Sequence, residues 1–379
     1  MPELIRPASD MSQAKMVMSR IIELNTEYPL HEIAVLFRAG YHSYPLEVEL
    51  NKASVPYQKF GGIKFSEAAH IKDVLSLTRL AGGSPDFLSW KRALGLLPGV
   101  GPKTAEKLFK AYELGDHQQL INFAGKHKEF AELRDLMTSL SEFGGNPSLV
   151  VSSVISFYGP YLEKQHAEDL PRRLGGLEQL EQIAAGYDEL DIFLADMVLE
   201  PPDALGYSAR EDALVLSTIH SAKGLEWPAV MIIDLVEDRL PSRHALLDPS
   251  EMDEERRLLY VACTRARDYL GLFVPCCVHH RASGFHQPVS QSPFISELSS
   301  NLFKELRETT LGRLKPRKES PSGGHVPHQR SSVAASAYCR HKLFGRGKII
   351  MAMPPNKYKV NFPGFGLKII NGDYLEIEE

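Results

Sequence analysis

The pattern of hydrophobic and polar positions over residues 1–80 predicts strands that alternate with helices. A continuous apolar run at 33–37 is typical of a parallel strand that is buried on both faces. A second strand-like run at 55–60 is followed by two glycines. Apolar residues recur at helical spacing in three segments around these runs: 14–24, 44–52 and 66–80. The alternation of helices and strands indicates an α/β domain.

The pattern changes between residues 81 and 206. Apolar positions recur there at helical spacing and β-branched runs are scarce, so we expect an all-helical insertion. Strand patterns then return, with a helix before the last of them: 213–217, 230–235, 251–266 (the helix) and 269–274. We therefore predict a discontinuous α/β domain, formed by residues 1–80 and 207–278.

The last hundred residues show a weaker pattern. Residues 279–336 contain one amphipathic segment at 294–306, which predicts a helix. The stretch 315–332 is rich in Pro, Ser, Gly and basic residues, as flexible linkers are. Residues 337–379 show short alternating runs broken by Gly and Pro, a pattern that favours a small C-terminal β-barrel of SH3 or Tudor type.

Composition narrows the class of protein. The hydrophobic content of 43% and the charged content of 24% are ordinary for a soluble globular protein, and no apolar run is long enough to cross a bilayer. Four cysteines without a CxxC pair do not form a disulfide framework, so we expect a reducing, cytoplasmic setting. The run Cys276–His280 combines cysteines and histidines, but adjacent cysteines are poorly placed to bind one tetrahedral ion, and we predict no metal site.

The charge is uneven along the chain. The net charge of −5 does not indicate a nucleic-acid-binding protein by itself. Between residues 313 and 348, however, Glu319 is the only acid among nine basic residues: Arg313, Lys315, Arg317, Lys318, Arg330, Arg340, Lys342, Arg346 and Lys348. This segment is interpreted either as a solvated tail or as an arm that binds polyanions.

The sequence lacks the motifs that hold nucleotide phosphates. Residues 99–104 imitate the end of a phosphate-binding loop, but Pro102 stands where its final glycine belongs and no strand precedes it. No Asp-Glu pair ends an apolar strand as a Walker B motif would. We therefore expect this chain alone to be unable to hold Mg-ATP.

Four segments carry a resemblance to a known family. In chain order they are AVLFRAGYHSYPLE (34–47), PYQKFGGIKFSEAAHIKD (56–73), VLSTIHSAKGLEW (215–227) and EERRLLYVACTRA (254–266). They resemble motif IV, the block next to it, motif V and motif VI of UvrD/PcrA/Rep-type superfamily-1 DNA helicases. The resemblance implies a RecA-like domain called 2A, interrupted by a 2B-like helical insertion, in an ATP-driven 3′–5′ translocase on DNA.

The resemblance implies a role in ATP binding for five residues. The arginines of motifs IV and VI, which contact the γ-phosphate in the family, correspond to Arg38 and Arg265. Glu226, after Gly224 in motif V, corresponds to the acid that accepts a hydrogen bond from the ribose. Phe37 corresponds to an aromatic residue that stacks on adenine, although a core residue at a strand end is an equally good interpretation.

The DNA contacts implied by the resemblance lie in two places. Thr218, His220 and Lys223 belong to the motif V loop, which contacts the single-strand backbone in the family; His220 could also be a structural histidine. The segment Leu96–Leu108 looks like a helix-hairpin-helix, in which Gly99, Gly101, Lys103 and Thr104 would bind a duplex phosphate. A plain turn between helices is the alternative for this segment.

These observations lead to one main prediction and one alternative. We expect the C-terminal half of an ATP-dependent helicase that completes the ATP site beside an N-terminal half, which carries the Walker motifs and holds ATP and Mg²⁺. The expected partners are single-stranded and duplex-junction DNA, that N-terminal half and, through the Tudor-like tail, RNA polymerase, but no membrane. The tail could instead be a stability cap. The alternative function is a DNA- and RNA-polymerase-binding adaptor that does not hydrolyse ATP.

Overall fold

The structure is a computed structural model. It describes residues 1–83, 86–140, 145–199, 212–280, 285–309, 314–316, 338–341, 345–353, 357–362, 366–371 and 375–378. The chain divides into two compact units, Met1–Arg317 and Lys318–Glu379. No helix in these described residues is long and apolar enough to cross a membrane.

The first unit is built on one mostly parallel sheet. Its strands and one separate hairpin are, in chain order, β1 (Glu3–Arg6), β2 (Ile33–Phe37), β3 (Tyr57–Phe60), β4 (Leu214–Thr218), β5 (Trp227–Ile232), β6 (Ala266–Phe273), the hairpin β7 (Cys277–His280) and β8 (Phe285–Pro288), β9 (Lys304–Glu308) and β10 (Leu314–Pro316). The sheet order is β10-β9-β1-β6-β5-β2-β4-β3, and only β10 pairs antiparallel. This sheet confirms the predicted mixed α/β class.

Helices cover both faces of the sheet. They are α1 (Asp10–Leu24), α2 (Tyr44–Lys52), α11 (Pro249–Cys263) and the short α12 (Pro293–Ser296). Helix α3 (Ala69–Ala81) packs instead with the helices inserted between the two parts of the sheet. The central strand β2 alternates between two cores, since Ala34 and Leu36 pack on one face and Ile33, Val35 and Phe37 on the other. All five residues are fully buried, which is why this strand has a continuous apolar sequence.

Helix α1 shows how the sequence sets an element's start. Ser9 is its N-cap, and Ser9 and Ser12 bond each other's backbone N–H groups in a capping box. The apolar stripe that follows, which includes Val17 and Ile21, packs into the core under the sheet. The helix therefore begins after Ser9, where side-chain oxygens accept from the free backbone N–H groups, and its buried face continues to its last residue, Leu24.

Seven further helices lie between the two parts of the sheet. They are α4 (Phe87–Gly95), α5 (Pro102–Glu113), α6 (His117–Ala124), α7 (Lys128–Leu140), α8 (Pro147–Gln165), α9 (Leu170–Ala184) and α10 (Leu190–Met197), counted within the described residues. Their core is continuous with that of α3, because Val74 and Leu77 pack with Trp90 and Tyr158 in one cluster. The described part of this segment is helical, and the domain boundaries predicted around it remain predictions.

The helix predicted over 294–306 is wrong. Only α12 is helical there; a 3-10 turn at Ser300–Leu302 follows, and then β9 pairs in parallel with β1. Leu306 is buried in the sheet's core as a strand residue. The apolar spacing fits a helix, but tertiary pairing with β1 decides the outcome, as it commonly does for short segments.

The second unit contains one antiparallel sheet among its described residues. Its strands are β11 (Tyr338–His341), β12 (Gly345–Met353), β13 (Lys357–Phe362), β14 (Gly366–Asn371) and β15 (Leu375–Glu378), in the order β14-β13-β12-β11-β15. A register shift between Ile349 and Met351 marks an irregularity in β12. The all-β content agrees with the sequence pattern, whereas closure into a Tudor-like barrel remains a prediction. The basic linker predicted over 315–332 lies largely outside the described residues.

Candidate functional site

The parallel sheet has two ends, and the motif residues divide between them. We call the segments that follow β2, β3 and β4 (38–43, 61–64 and 219–223) the carboxyl edge, and those that precede β5 and β6 (224–226 and 264–265) the amino edge. Because these strands run in the same direction, the edges are opposite each other, separated by about 17 Å for a five-residue strand.

At the amino edge, Arg265 is held between two of the motif segments. Its Nε donates to Val261 O at 3.0 Å and its Nη1 to Leu225 O at 2.8 Å. Its Nη2 donates to Thr264 Oγ at 3.0 Å, and Arg265 O accepts from Trp227 N at 2.9 Å. A guanidinium has five N–H donors, so this fixed side chain keeps donors for an anion.

Glu226 lies beside Arg265 at the same edge. Its Oε1 is 2.9 Å from Nη2 of Arg267, and both side chains are more than half exposed. Gly224 has a φ of +88°, a conformation that favours glycine, and leads the chain into this position. An exposed carboxylate beside a fixed guanidinium fits the hydroxyl and phosphate groups of a nucleotide.

At the carboxyl edge, Arg38 forms a close pair with Glu255 of α11. Arg38 Nε donates to Glu255 Oε1 at 2.9 Å and to Oε2 at 3.1 Å, and Nη2 lies 2.9 Å from Oε1. The Glu255 side chain is only 4% exposed, so Arg38 neutralises a buried carboxylate. The pair lines a cavity of about 690 Å³ whose wall also includes Tyr41, Glu178 and Arg243.

The expectation that Arg38 and Arg265 converge in one cleft is not met. Arg38 follows the carboxyl end of β2, whereas Arg265 directly precedes β6 at the opposite edge. Helix α11 spans this gap, since Glu255 and Cys263 are eight residues apart, or about 12 Å of helix rise. Within this unit, the structure groups Arg265 with Gly224 and Glu226 and separates Arg38 from them.

Phe37 is a core residue. Its side chain is 0% exposed and packs between the sheet and α1 and α2 with Val35, Leu46 and Leu50. A ring without accessible surface cannot stack on an adenine base in this conformation. Of the two interpretations that the sequence left open, the structure therefore favours the core residue and corrects the assignment to ATP binding.

The predicted DNA loop begins at the carboxyl edge. Thr218 Oγ1 accepts from Ser221 N at 3.3 Å and lies 2.9 Å from Ser221 Oγ, and Thr218 O accepts from Ala222 N. His220 and Lys223 are exposed, whereas Ile219 and Ala222 are fully buried and anchor the loop in the core. The exposed pair is thus presented on a fixed backbone, and His220 is not a buried structural histidine.

The predicted helix-hairpin-helix is present as two helices, α4 and α5, joined by a tight turn. Gly99 has a φ of +78° in the turn, and Gly101 is the N-cap of α5. Trp90 Nε1 donates to Ala105 O at 3.0 Å and ties the helices together. Gly99, Gly101 and Lys103 are exposed and Thr104 is half-buried, a geometry that leaves the first turn of α5 open to solvent. DNA binding by this turn remains a prediction.

Sequence reasoning missed a buried charge network at the carboxyl edge. Arg239 Nη1 donates to Asp234 Oδ1 at 2.6 Å, and its Nη2 reaches Asp10 Oδ2 at 3.4 Å. His42 Nδ1 is 3.9 Å from Asp234 Oδ2, and burial lowers the pKa of His42 to about 4. Asp10, His42 and Asp234 are distant from one another in sequence, so no local pattern indicated the network.

A second buried pair was also missed. Lys59 Nζ is 2.6 Å from Glu47 Oε1, and both side chains are at most 1% exposed. Glu47 also accepts from Ser43 Oγ at 2.6 Å and from Phe65 N at 2.7 Å. Burial lowers the pKa of Lys59, while the adjacent Glu47 opposes that shift. The pair fixes the glycine segment 61–62 of the carboxyl edge.

Metal ligands do not cluster in the described residues. No group of three or more His, Cys, Asp or Glu side chains in that part of the chain is arranged to hold an ion. Cys276 is exposed and Cys277 half-buried, and both have free thiols. The side chains of His279 and His280 lie outside what the structure describes.

The fold and the amino edge define a class of protein. A mixed α/β domain with a mostly parallel sheet and an interrupting helical segment is consistent with a RecA-like helicase domain. The profile of the family described as "UvrD-like helicase C-terminal domain" matches residues 2–135 and 116–274. The chain belongs to this family.

Curated relatives agree with the family. DNA helicase II of Escherichia coli (strain K12) is 29% identical over 402 residues, which cover 98% of this chain and 55% of the relative. The probable DNA helicase II homolog of Mycoplasma capricolum subsp. capricolum is 31% identical, covering 90% of this chain and 50% of that protein. The ATP-dependent DNA helicase PcrA of Staphylococcus aureus (strain Mu50) is 27% identical, covering 92% and 52%. The chain spans about half the length of these relatives.

Proposed function

We propose that this chain provides the C-terminal part of an ATP-dependent DNA helicase or translocase. In this proposal it closes against a separate phosphate-binding region that holds Mg-ATP, and it grips DNA with the carboxyl edge of its sheet. The names of the relatives support the reaction class. The single observation that carries the proposal is the fixed position of Arg265 beside Glu226 at the amino edge.

Arg265 is proposed to stabilise the charge that develops on the γ-phosphate. Hydrogen bonds to Val261 O and Leu225 O orient the guanidinium before the nucleotide arrives, so little reorganisation is needed in the transition state. Arginine fingers contribute roughly 10³- to 10⁵-fold to phosphoryl-transfer rates. Mg²⁺, held by the phosphate-binding region, would neutralise phosphate charge; the described residues of this chain offer no ligand cluster for it.

Glu226 is proposed to accept a hydrogen bond from a ribose hydroxyl. Its carboxylate is exposed and pairs with Arg267, which limits the directions that the carboxylate takes. Together, Glu226 and Arg265 would bind the two ends of a nucleotide that carries a ribose and a terminal phosphate. This arrangement replaces the earlier expectation in which Phe37 and Arg38 contributed to the same pocket.

Arg38 is proposed to be a positioning residue. Its pair with Glu255 joins the end of β2 to the first half of α11, the helix that ends next to Arg265. Since helix α11 is a rigid rod about 22 Å long, fixing its start also fixes its end. Arg38 would therefore influence ATP hydrolysis through the placement of Arg265.

The segment 219–226 is proposed to couple DNA binding to ATP hydrolysis. It begins at the carboxyl edge after Thr218 and ends at the amino edge with Glu226, so one short segment contacts both proposed ligands. Buried Ile219 and Ala222 anchor the first half of the segment in the core, and Leu225 O accepts from Arg265 at its other end. A shift caused by nucleotide closure would be transmitted to His220 and Lys223 through contiguous packing. The 3′–5′ direction follows from the family resemblance alone.

Two further contacts are proposed outside the motor domain. The exposed turn from Gly99 to Lys103 would bind duplex phosphates through backbone N–H groups and one ammonium, without reading sequence. The five-stranded C-terminal sheet, as a Tudor-like tail, would bind RNA polymerase. Both are secondary to the motor function.

The test of the motor function is a reconstituted ATPase assay. This chain is combined with a matching N-terminal helicase region, and DNA-stimulated ATP hydrolysis is measured for the wild type and for Arg265→Ala. We expect hydrolysis to fall at least about 10³-fold, because the γ-phosphate loses its fixed cation. Arg257→Ala is the matched control, since Arg257 lies on α11, the helix that ends just before Arg265, and pairs with Glu254 on the surface.

Two outcomes would contradict the proposal. Equal ATP hydrolysis by Arg265→Ala and the wild type would remove the arginine-finger assignment. DNA binding by the wild type without any ATP hydrolysis in the combined protein would favour the adaptor function instead.

A further inference from the structure

An exposed apolar loop stands at the carboxyl end of β3. Phe60 and Ile63 are 44% and 45% exposed, although their neighbours Tyr57 and Phe65 are buried. Gly61 and Gly62 lie between Phe60 and Ile63. Within the described part of the chain, no other aromatic ring packs against Phe60. The ring is therefore available for a partner from outside the domain.

The loop is rigid because hydrogen bonds from the buried Lys59–Glu47 pair hold both of its ends. Lys59 Nζ donates to Ile63 O at 2.8 Å and pairs with Glu47 at 2.6 Å. Glu47 in turn accepts from Phe65 N at 2.7 Å, just after the loop. One buried ion pair thus holds the residues on either side of the two glycines and presents Phe60 in a fixed position.

The loop is packed directly against the proposed DNA loop. A Cβ atom on Gly61 would lie 2.1 Å from Thr218 Oγ1 and 2.4 Å from Ser221 Oγ, so no larger residue fits there. Phe60 therefore projects beside the segment that presents His220 and Lys223. The close approach of the two segments makes one continuous surface of them.

The chemistry of this surface matches a single-stranded nucleic acid. Neither 59–64 nor 218–223 contains an acidic residue, while Lys64, His220 and Lys223 provide basic groups. Proteins that bind single strands combine cations along the backbone with exposed aromatic rings on which bases stack. A surface for a folded protein partner would need a much larger apolar area than one loop.

We propose that the Phe60 ring stacks on a base of single-stranded DNA whose phosphates lie along residues 218–223. This inference rests on the proposed DNA-binding function and adds a residue to it. Stacking on a fixed ring adds affinity that depends on the presence of a base and hardly on which base it is. The fixed Phe60 ring would then position each successive nucleotide by stacking on its base.

The experiment compares two oligonucleotides by fluorescence anisotropy on the intact chain. One is oligo(dT), and the other is an abasic oligonucleotide of the same length and charge. We expect Phe60→Leu to weaken oligo(dT) binding by roughly 5- to 150-fold and to leave the abasic oligonucleotide unaffected. Phe87→Leu is the matched control, because Phe87 is also a partly exposed phenylalanine, at the end of α4 away from the turn.

A tryptophan variant gives a second readout. The native Trp90 and Trp227 are 4% and 7% exposed, so a Phe60→Trp ring would be the accessible indole among the described residues. We expect its fluorescence to be quenched by oligo(dT) and unchanged by the abasic strand, with wild-type affinity retained.

The results separate this inference from the function on which it rests. Unchanged oligo(dT) affinity in Phe60→Leu, or an equal loss for both oligonucleotides, overturns stacking while DNA binding stands. A wild-type chain that binds neither oligonucleotide rejects the proposed DNA interaction and the role of Phe60 with it.

Discussion

At the scale of single residues, buried charge organises the carboxyl edge of the sheet. Arg38 neutralises Glu255, Lys59 neutralises Glu47, and Arg239 bonds Asp234. The Arg38–Glu255 pair joins segments that are distant along the chain, and the burial of each pair costs desolvation that its opposite charge offsets. Removing one member should therefore be more damaging than removing both.

The Lys59–Glu47 pair provides a test of this principle. Lys59→Met leaves a carboxylate buried without its cation and should lower the free energy of unfolding by about 3–5 kcal/mol. The double variant Lys59→Met, Glu47→Leu should recover part of that loss. Urea unfolding followed by circular dichroism measures both, with Lys52→Met as an exposed control expected to cost about 1 kcal/mol or less.

A loss in Lys59→Met no greater than that in Lys52→Met would show that the buried pair does not organise the loop. The position of Phe60 would then not depend on the Lys59–Glu47 pair.

His42 makes folding stability depend on pH. Burial lowers its folded-state pKa from 6.5 to about 4, so the unfolded chain binds more protons between these values. Stability is therefore complete above pH 6.5 and is lost as the pH falls towards 4, by up to about 1.4 kcal/mol per pH unit for one group. His70, whose pKa burial also lowers to about 4, should contribute in the same direction.

The measurement is the free energy of unfolding in urea between pH 4.5 and pH 7.5. His42→Gln should flatten the curve relative to the wild type, whereas the exposed His244→Gln should not. Parallel curves for the wild type and His42→Gln would exclude His42 as a source of the pH dependence.

At the scale of secondary-structure elements, local sequence predicts buried strands best. The run Ile33–Phe37 had an unambiguous pattern because both of its faces are covered. Segment 294–306 misled because its helical spacing competes with pairing between β9 and β1, which are about 300 residues apart in sequence. Such long-range pairing leaves no local signal.

Helix α11 is the element that links the two edges, and Arg38 should act through it. Arg38→Met should lower the free energy of unfolding by about 1–3 kcal/mol, less than a fully buried pair because Arg38 is 29% exposed. The additional change Glu255→Leu should restore much of the stability. A double-mutant cycle in urea measures this coupling.

If the two single substitutions were simply additive, Arg38 and Glu255 would not form an energetic clamp. The placement of α11 would then depend on its apolar contacts with β5 and β6 alone.

At the scale of the whole molecule, sequence motifs predicted the family but not where the motif residues lie relative to one another. Motif spacing indicated Glu226 and Arg265 as well as Arg38, and the family assignment holds. Motif spacing could not show that Arg38 follows a strand while Arg265 precedes one. The edge at which a residue lies depends on where each strand starts and ends. The burial of Phe37 was equally open until packing on the sheet was known.

The division into two edges gives the molecule its proposed logic. The proposed nucleotide contacts lie at the amino edge and the proposed DNA contacts at the carboxyl edge, and 219–226 and α11 run between them. The whole enzyme's activity then depends on a phosphate-binding region that closes on the amino edge.

The most direct test of this account is a comparison of Arg265→Ala with Arg38→Ala in the same reconstituted, DNA-stimulated ATPase assay. The turnover number is measured at saturating DNA and at a temperature where both variants are shown to be folded. The account predicts a loss of at least about 10³-fold for Arg265→Ala and a much smaller loss for Arg38→Ala, since only Arg265 would contact the γ-phosphate. Equal, severe losses in two folded variants would contradict it and return both arginines to one nucleotide site.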